Sequence, residues 1–336
     1  MKTQSHFWTG LIGATGLIVL ILDAKTAISG GMNGISLCLN TVIPSLFPFF
    51  LFSILLNNTL TGTQLAVLRP FGKLLGIPAG AESLMLLGFL GGYPVGAQCI
   101  TESYKSKGLN RQDAHRMLGF CSNAGPAFIF GMGSSLFTRK SVLWLLWGIH
   151  IASALLTGLL LPNKSRRICT LPQGKHLTIS QALNKAVCTI ASVCGWVIIF
   201  RVLLSFLQNW CLWLIGNEEQ VFVVGLMELS NGCYRLFDIA SEGGRFVMCA
   251  GILGFGGLCV AMQTVSVTNG LGVGLYFPGK VIQGSISLLM SGLLQTVLFH
   301  PSERWNGWLP YAGAAIVICI LTTIFAYRKK RVEILC

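Results

Sequence analysis

Two stretches combine polar groups with residues that cannot continue a helix, inside runs that are otherwise apolar. The first, 84–100, reads LMLLGFLGGYPVGAQCI, and the second, 117–131, reads MLGFCSNAGPAFIFG. Gly91, Gly92, Tyr93 and Pro94 remove side chains and then a backbone donor. Ser122, Asn123, Ala124, Gly125 and Pro126 do the same and add two polar side chains. In lipid, broken backbone is tolerated only where protein or a water-filled cavity satisfies the freed N–H and C=O groups. Two breaks this close together predict a solute site built from half-helix ends, as in secondary transporters.

The polar residues at these breaks have definable uses. Ser122 and Asn123 stand where the second break frees a half-helix N-terminus, which suits a carboxylate or a polar ring substituent. They could equally serve only to satisfy the broken backbone. Tyr93 could stack on an aromatic solute, or simply pack beside the Gly-Pro turn. Gln98 and Gln263 close corresponding motifs and either donate to a solute or bond helix to helix. Glu228 is an isolated acid deep in an apolar run, with Ser230 and Asn231 at an expected break. A carboxylate at membrane depth needs a cavity, a partner or a proton, so Glu228 is either a coupling-ion site or one half of a pair with Arg201 or Arg235. Arg201 either snorkels to the surface or supplies counter-charge to an anion. His150 stands alone in a span and reads as packed and hydrogen-bonded; no metal and no cofactor is expected.

The elements that must position these residues are membrane helices. The chain is 53% hydrophobic and 10% charged, with a mean hydropathy of +0.69, where soluble domains carry about 25% charged residues. Several apolar segments of about 20 residues make it an all-α polytopic membrane protein. The net charge of +13 is therefore read as asymmetry across the bilayer, not as a nucleic-acid signal. None of the 12 cysteines forms a CxxC pair, which excludes the common zinc and redox motifs. GxxxxGK[ST] is absent, and Gly270, Gly272 and Gly274 follow no strand, so neither nucleotide hydrolysis nor dinucleotide binding is indicated.

In order, the chain divides into an N-terminal transmembrane helix or signal anchor (1–30), a first repeat with broken helices (31–162), a basic cytoplasmic linker (163–181), a second repeat (182–300) and a C-terminal transmembrane helix with a basic tail (301–336). A Gly-rich turn is expected at Gly30, Gly31 and Gly34, and kinks at Pro44 and Pro48. Each repeat reads as span, broken run, charged loop, broken run, span. GFLGGYPVG (88–96) echoes GLMELSNG (225–232), and the run at Gly119 echoes the one at Gly251. If the first broken run of each half is re-entrant and the second crosses, 17 of the 24 Lys and Arg, Lys280 included, fall on the cytoplasmic side. That arrangement is an inverted structural repeat with re-entrant, broken transmembrane helices.

Gly91 to Ala97 and Ser122 to Gly131 resemble the sporulation integral membrane proteins of the YlbJ type, within the nucleoside-recognition, or gate, domain group. The resemblance covers roughly residues 34–299, although Gly91-Gly92 and Gln98 stand where relatives are expected to carry Ser-Gly and Lys. It implies a transport-type domain in a bacterial cell membrane, or in the membrane around a forespore, with a role in spore formation linked to movement of dipicolinate. The function expected is a secondary transporter or permease for a small polar or anionic solute, dipicolinate-like or nucleoside-like, working by alternating access. Its partners would be the solute and the bilayer, with a homo-oligomer or sporulation membrane partners left open. The alternative is a non-transporting scaffold for spore assembly, which needs neither paired broken helices nor Glu228. No Ser–His, paired-Asp or HExxH arrangement suggests an enzyme.

Overall fold

The structure is a computed structural model that describes residues 2–60, 63, 65–162 and 177–335. Most of the expected linker, 163–176, lies outside the described residues. The described chain is helical throughout, with α1 (Lys2–Leu22), α2 (Ala24–Leu37), α3 (Ile43–Leu60), α4 (Arg69–Leu74), α5 (Glu82–Leu90), α6 (Val95–Lys105), α7 (Arg111–Cys121) and α8 (Pro126–Gly133) forming the first part. It continues through α9 (Ser141–Leu160), α10 (Ile179–Trp210), α11 (Asn217–Met227), α12 (Leu229–Arg235), α13 (Glu242–Phe255), α14 (Gly257–Val267), α15 (Tyr276–Leu298) and α16 (Trp308–Leu335). Six helical runs among the described residues are long and apolar enough to cross a bilayer: Ala24–Asn57, Ser141–Leu160, Ile179–Trp210, Glu242–Val267, Tyr276–Leu298 and Trp308–Arg328. The chain is an all-α integral membrane protein.

The glycines at 30–34 make no turn. They lie within α2, and the helical path continues through a π turn, Cys38–Val42, into α3. A Cβ on Gly30 would lie 2.9 Å from the Val202 Cα, and one on Gly34 would lie 2.9 Å from the Ile198 Cα. The Gly-x-x-x-Gly spacing therefore lets α2 and α10 approach backbone to backbone. Pro44 has no N–H to donate to Asn40, and the π turn falls at that point; Pro48 is carried inside α3.

Contacts define two ends of the bundle. At one, Arg69 pairs with Glu82 (2.5 Å), Lys185 with Glu102 (3.2 Å), and the His115 ring meets the Leu271 carbonyl (2.9 Å). At the other, the Thr138 N–H donates to Glu242 (2.9 Å), the Trp305 indole donates to Glu218 (2.9 Å), and Asn209 donates to Thr26 (2.8 Å). α5 and α6 form a hairpin that starts and finishes at the first end. α11 and α12 form one that starts and finishes at the second, where Arg235 reaches Gln220 (3.3 Å). In each hairpin, facing glycines let the arms close together: Gly88 against Gly96, and Gly225 against Gly232. The hairpin tips meet inside the protein.

Candidate functional site

The first tip is shaped by backbone. α5 ends with the Gly91 N–H donating to the Leu87 carbonyl (2.7 Å), and Pro94 caps the start of α6. Gly92 between them has φ +73°, a conformation that costs any side chain strain. A Cβ there would also lie 3.1 Å from the Gly125 nitrogen. Gly125 belongs to the second interruption, where α7 stops at Cys121 and α8 restarts with Pro126 at its first turn. The two interruptions of the first half thus touch.

Lys280, from α15, fills the space beside them. Its Nζ donates to the Tyr93 hydroxyl (2.9 Å), the Ser122 carbonyl (2.7 Å) and Asn123 Oδ1 (3.3 Å), and it lies 5.1 Å from the centre of the Tyr93 ring. The residue is 1% exposed. Gln283, one turn further along α15, donates to Asn123 Oδ1 (2.9 Å) and to the His150 carbonyl (3.3 Å). His150 Nε2 accepts from the Ala124 N–H (3.1 Å). Every acceptor that holds Lys280 is neutral, and it forms no ion pair among the described residues. Three more buried polar atoms in this cluster, Ser122 Oγ, His150 Nδ1 and Gln283 Oε1, have no hydrogen-bond partner. Buried polar groups are ordinarily satisfied, so a basic nitrogen with unspent donors and acceptors around it is set up for a polar ligand.

The second tip lies across a small cavity. Glu228 is the residue between α11 and α12, and its carboxylate caps α12 by accepting from the Ser230 N–H (3.1 Å), the Asn231 N–H (2.7 Å) and Asn231 Nδ2 (2.6 Å). This is neither of the pairings expected from the sequence. Arg235 instead pairs with Asp238 (2.9 Å), and Arg201 makes no ion pair among the described residues. Glu228, Ser230 and Gln263 line a cavity of about 40 Å³ with Tyr93, Ala124 and Val42. That volume admits water but not a drug-sized solute. The fourth interruption, Gly256 between α13 and α14 with φ +84°, abuts Tyr93: a Cβ there would lie 2.8 Å from the hydroxyl. All four interruptions therefore converge on Tyr93 and the cavity.

Most residues singled out from the sequence gather here. Gly91, Gly92, Tyr93 and Pro94 form the first tip; Ser122 and Asn123 hold Lys280; Pro126 opens α8; Glu228, Ser230 and Asn231 form the second tip; Gln263 faces the cavity and donates to the Cys259 sulfur (3.4 Å). Gln98 stands apart, donating to Glu102 on the next turn of α6 (3.2 Å). Lys280 corrects the charge assignment: it does not lie in a cytoplasmic segment but is the buried basic residue of the site. The signal was present in YFPGKVIQG, where a lysine is followed three residues later by glutamine on the same helical face.

Helices of membrane-spanning length surrounding a buried cluster of polar side chains define the class, a polytopic integral membrane protein with an internal polar site. No protein-family model matches the chain, and no solved structure matches it. Among curated proteins, it is similar to the sporulation integral membrane protein YlbJ of Bacillus subtilis (strain 168), with 24% identity over an alignment 386 positions long that covers 92% of this chain and 93% of that protein. The chain is related to the YlbJ type along nearly its whole length.

Proposed function

We propose that the protein is a secondary transporter or permease for a small anionic solute, working by alternating access around the four interrupted helices. The observation that carries this reading is Lys280, a fully buried basic side chain held by neutral groups where the interruptions meet. A charge on Nζ is costly at membrane depth without a counter-charge, and an incoming carboxylate supplies one at the point where it binds. The opposed hairpins support an inverted repeat, because one starts at each end of the bundle and both tips reach the same cavity. A cavity this small must widen toward one end at a time to pass a solute. Relatedness to a sporulation membrane protein favours a solute moved during spore formation, dipicolinate-like before nucleoside-like, since the site offers a cation and an aromatic ring. Proteoliposome uptake of dipicolinate, with uridine as the neutral comparison, tests the reading. Parental protein should accumulate dipicolinate and Lys280→Met should not; equal uptake by both, or by protein-free liposomes, would refute it.

A further inference from the structure

The polar groups of the site continue beyond it as a line through the protein. At the end of the bundle that holds the tail of α12, a cavity of about 460 Å³ opens among Arg201, Gln208, Asn231, Tyr234 and Arg235. Asn231 in its wall is also the residue that donates twice to Glu228. Glu228 lines the inner cavity together with Tyr93, and the Tyr93 hydroxyl is hydrogen-bonded to Lys280. In sequence the line is basin, Asn231, Glu228, inner cavity, Tyr93, Lys280. The inner cavity is roomy enough for water, which can bridge the carboxylate and the phenol.

Charge at the far end of this line depends on what else is bound there. The titratable groups facing Lys280 are Tyr93 from the 91–94 turn, Cys121 from α7, His150 from α9 and Tyr276 from its own helix. None of these is an anion in its ordinary form at neutral pH. Glu228 is the acid further along the line, with the cavity between, and Arg201 lies beyond it. A positive charge on Nζ and a bound carboxylate stabilise each other where water is excluded. Linkage then requires each to favour the other: an arriving anion promotes a proton on Nζ, and a proton on Nζ promotes anion binding.

We propose that this line is a proton path ending at Lys280, so that each solute anion is taken up together with one proton drawn from the basin through Glu228, cavity water and the Tyr93 hydroxyl. In the empty site Nζ is a free amine, and the 2.9 Å bond to Tyr93 runs from the hydroxyl to its lone pair; the proton adds there, the bond reverses so that the ammonium donates to the hydroxyl, and the ammonium pairs with the carboxylate. When the solute leaves on the opposite side the proton leaves too, and no other bond is made or broken. The proposal rests on the transport reading and assigns its driving force.

The test uses dipicolinate as the probe. In weakly buffered detergent solution with a pH indicator, parental protein should take up about one proton per solute bound. Lys280→Arg, whose guanidinium is charged at every accessible pH, should bind solute without proton uptake. In proteoliposomes an inward proton gradient should raise the initial rate about tenfold or more. In Glu228→Gln the ratio of the rates with and without the gradient should fall toward one, whatever the basal rate, because the path is cut short of Lys280. Dipicolinate uptake indifferent to the proton gradient, or full proton uptake by Lys280→Arg, overturns the proposal and leaves the transport reading standing. No uptake of dipicolinate under any imposed gradient overturns both. The parental protein alone decides the matter if Lys280→Arg fails to fold.

Discussion

Gly256→Ala tests the convergence of the interruptions on Tyr93. Gly256 has φ +84°, so alanine there takes on left-handed backbone strain of about 1–2 kcal/mol. Its Cβ would also lie 2.8 Å from the Tyr93 hydroxyl and 3.1 Å from the ring carbon that bears it. Tyr93 cannot retreat cheaply, because it is 6% exposed and its hydroxyl is held by Lys280. Overpacking of this kind adds about 1–3 kcal/mol, for a total of about 2–5 kcal/mol. Two other glycines separate the contributions. Gly272 has the same φ of +84° with nothing within 4 Å, so Gly272→Ala should cost the strain alone. Gly251 is helical, and its nearest neighbour, Leu288, would sit at an ordinary 3.5 Å; Gly251→Ala should be neutral or gain up to about 1 kcal/mol of helix propensity. Unfolding by SDS in mixed micelles, followed by tryptophan fluorescence, should rank Gly251→Ala at or above the parental protein, then Gly272→Ala, then Gly256→Ala. Adding Tyr93→Phe to Gly256→Ala should recover about 1 kcal/mol or more in a double-mutant cycle. Equal losses at 256 and 272, with no coupling to Tyr93, would show that the hydroxyl is not seated on this turn.

Three further outcomes follow from the same geometry. Gly34→Leu should destabilise the protein by about 2 kcal/mol or more in the same unfolding assay, since α10 backbone lies where the side chain must go. Gly31→Leu, in open space three residues earlier, should shift stability by less than about 0.5 kcal/mol. Glu228→Gln should cost about 1–3 kcal/mol by turning an amide nitrogen toward donors that now meet a carboxylate, and adding Arg201→Gln should give no rescue because the two form no ion pair. On a cysteine-free background, an impermeant maleimide applied from outside should miss Lys107→Cys and label cysteines placed at Glu219 and Glu303; labelling at 107 in intact cells would invert the proposed orientation.

The helix interruptions at 91–94 and 122–126 were legible because glycine and proline act on their own backbone, and no distant partner is needed to see it. Lys280 was not, because a lysine at the edge of an apolar run belongs to water unless other elements cover it. Here α15 starts at Tyr276, and α7 packs so closely on Gly279 that the next residue is carried inside. Gly30 and Gly34 carry an ambiguity intrinsic to glycine, which serves turns and close helix contacts alike. The partner that decides, α10, lies more than 160 residues away in the chain. Glu228 was legible as a special residue but not as a cap, since capping depends on where the next helix restarts.

The length of α10 has a consequence for the lipid around it. At 1.5 Å per residue its 32 residues span about 48 Å. Its first turns are in water, where Lys185 pairs with Glu102 and both side chains remain exposed to about two-fifths. From there to Trp210 it is still longer than the hydrocarbon thickness of about 30 Å, which it accommodates by leaning, by running into the headgroups or by thickening the bilayer beside it. Because Gly30 and Gly34 fix α2 against it backbone to backbone, the pair leans as one rigid spar. Membrane thickness thus acts on the protein as a mechanical load: a thinner bilayer tips the spar further over, and a thicker one draws it upright.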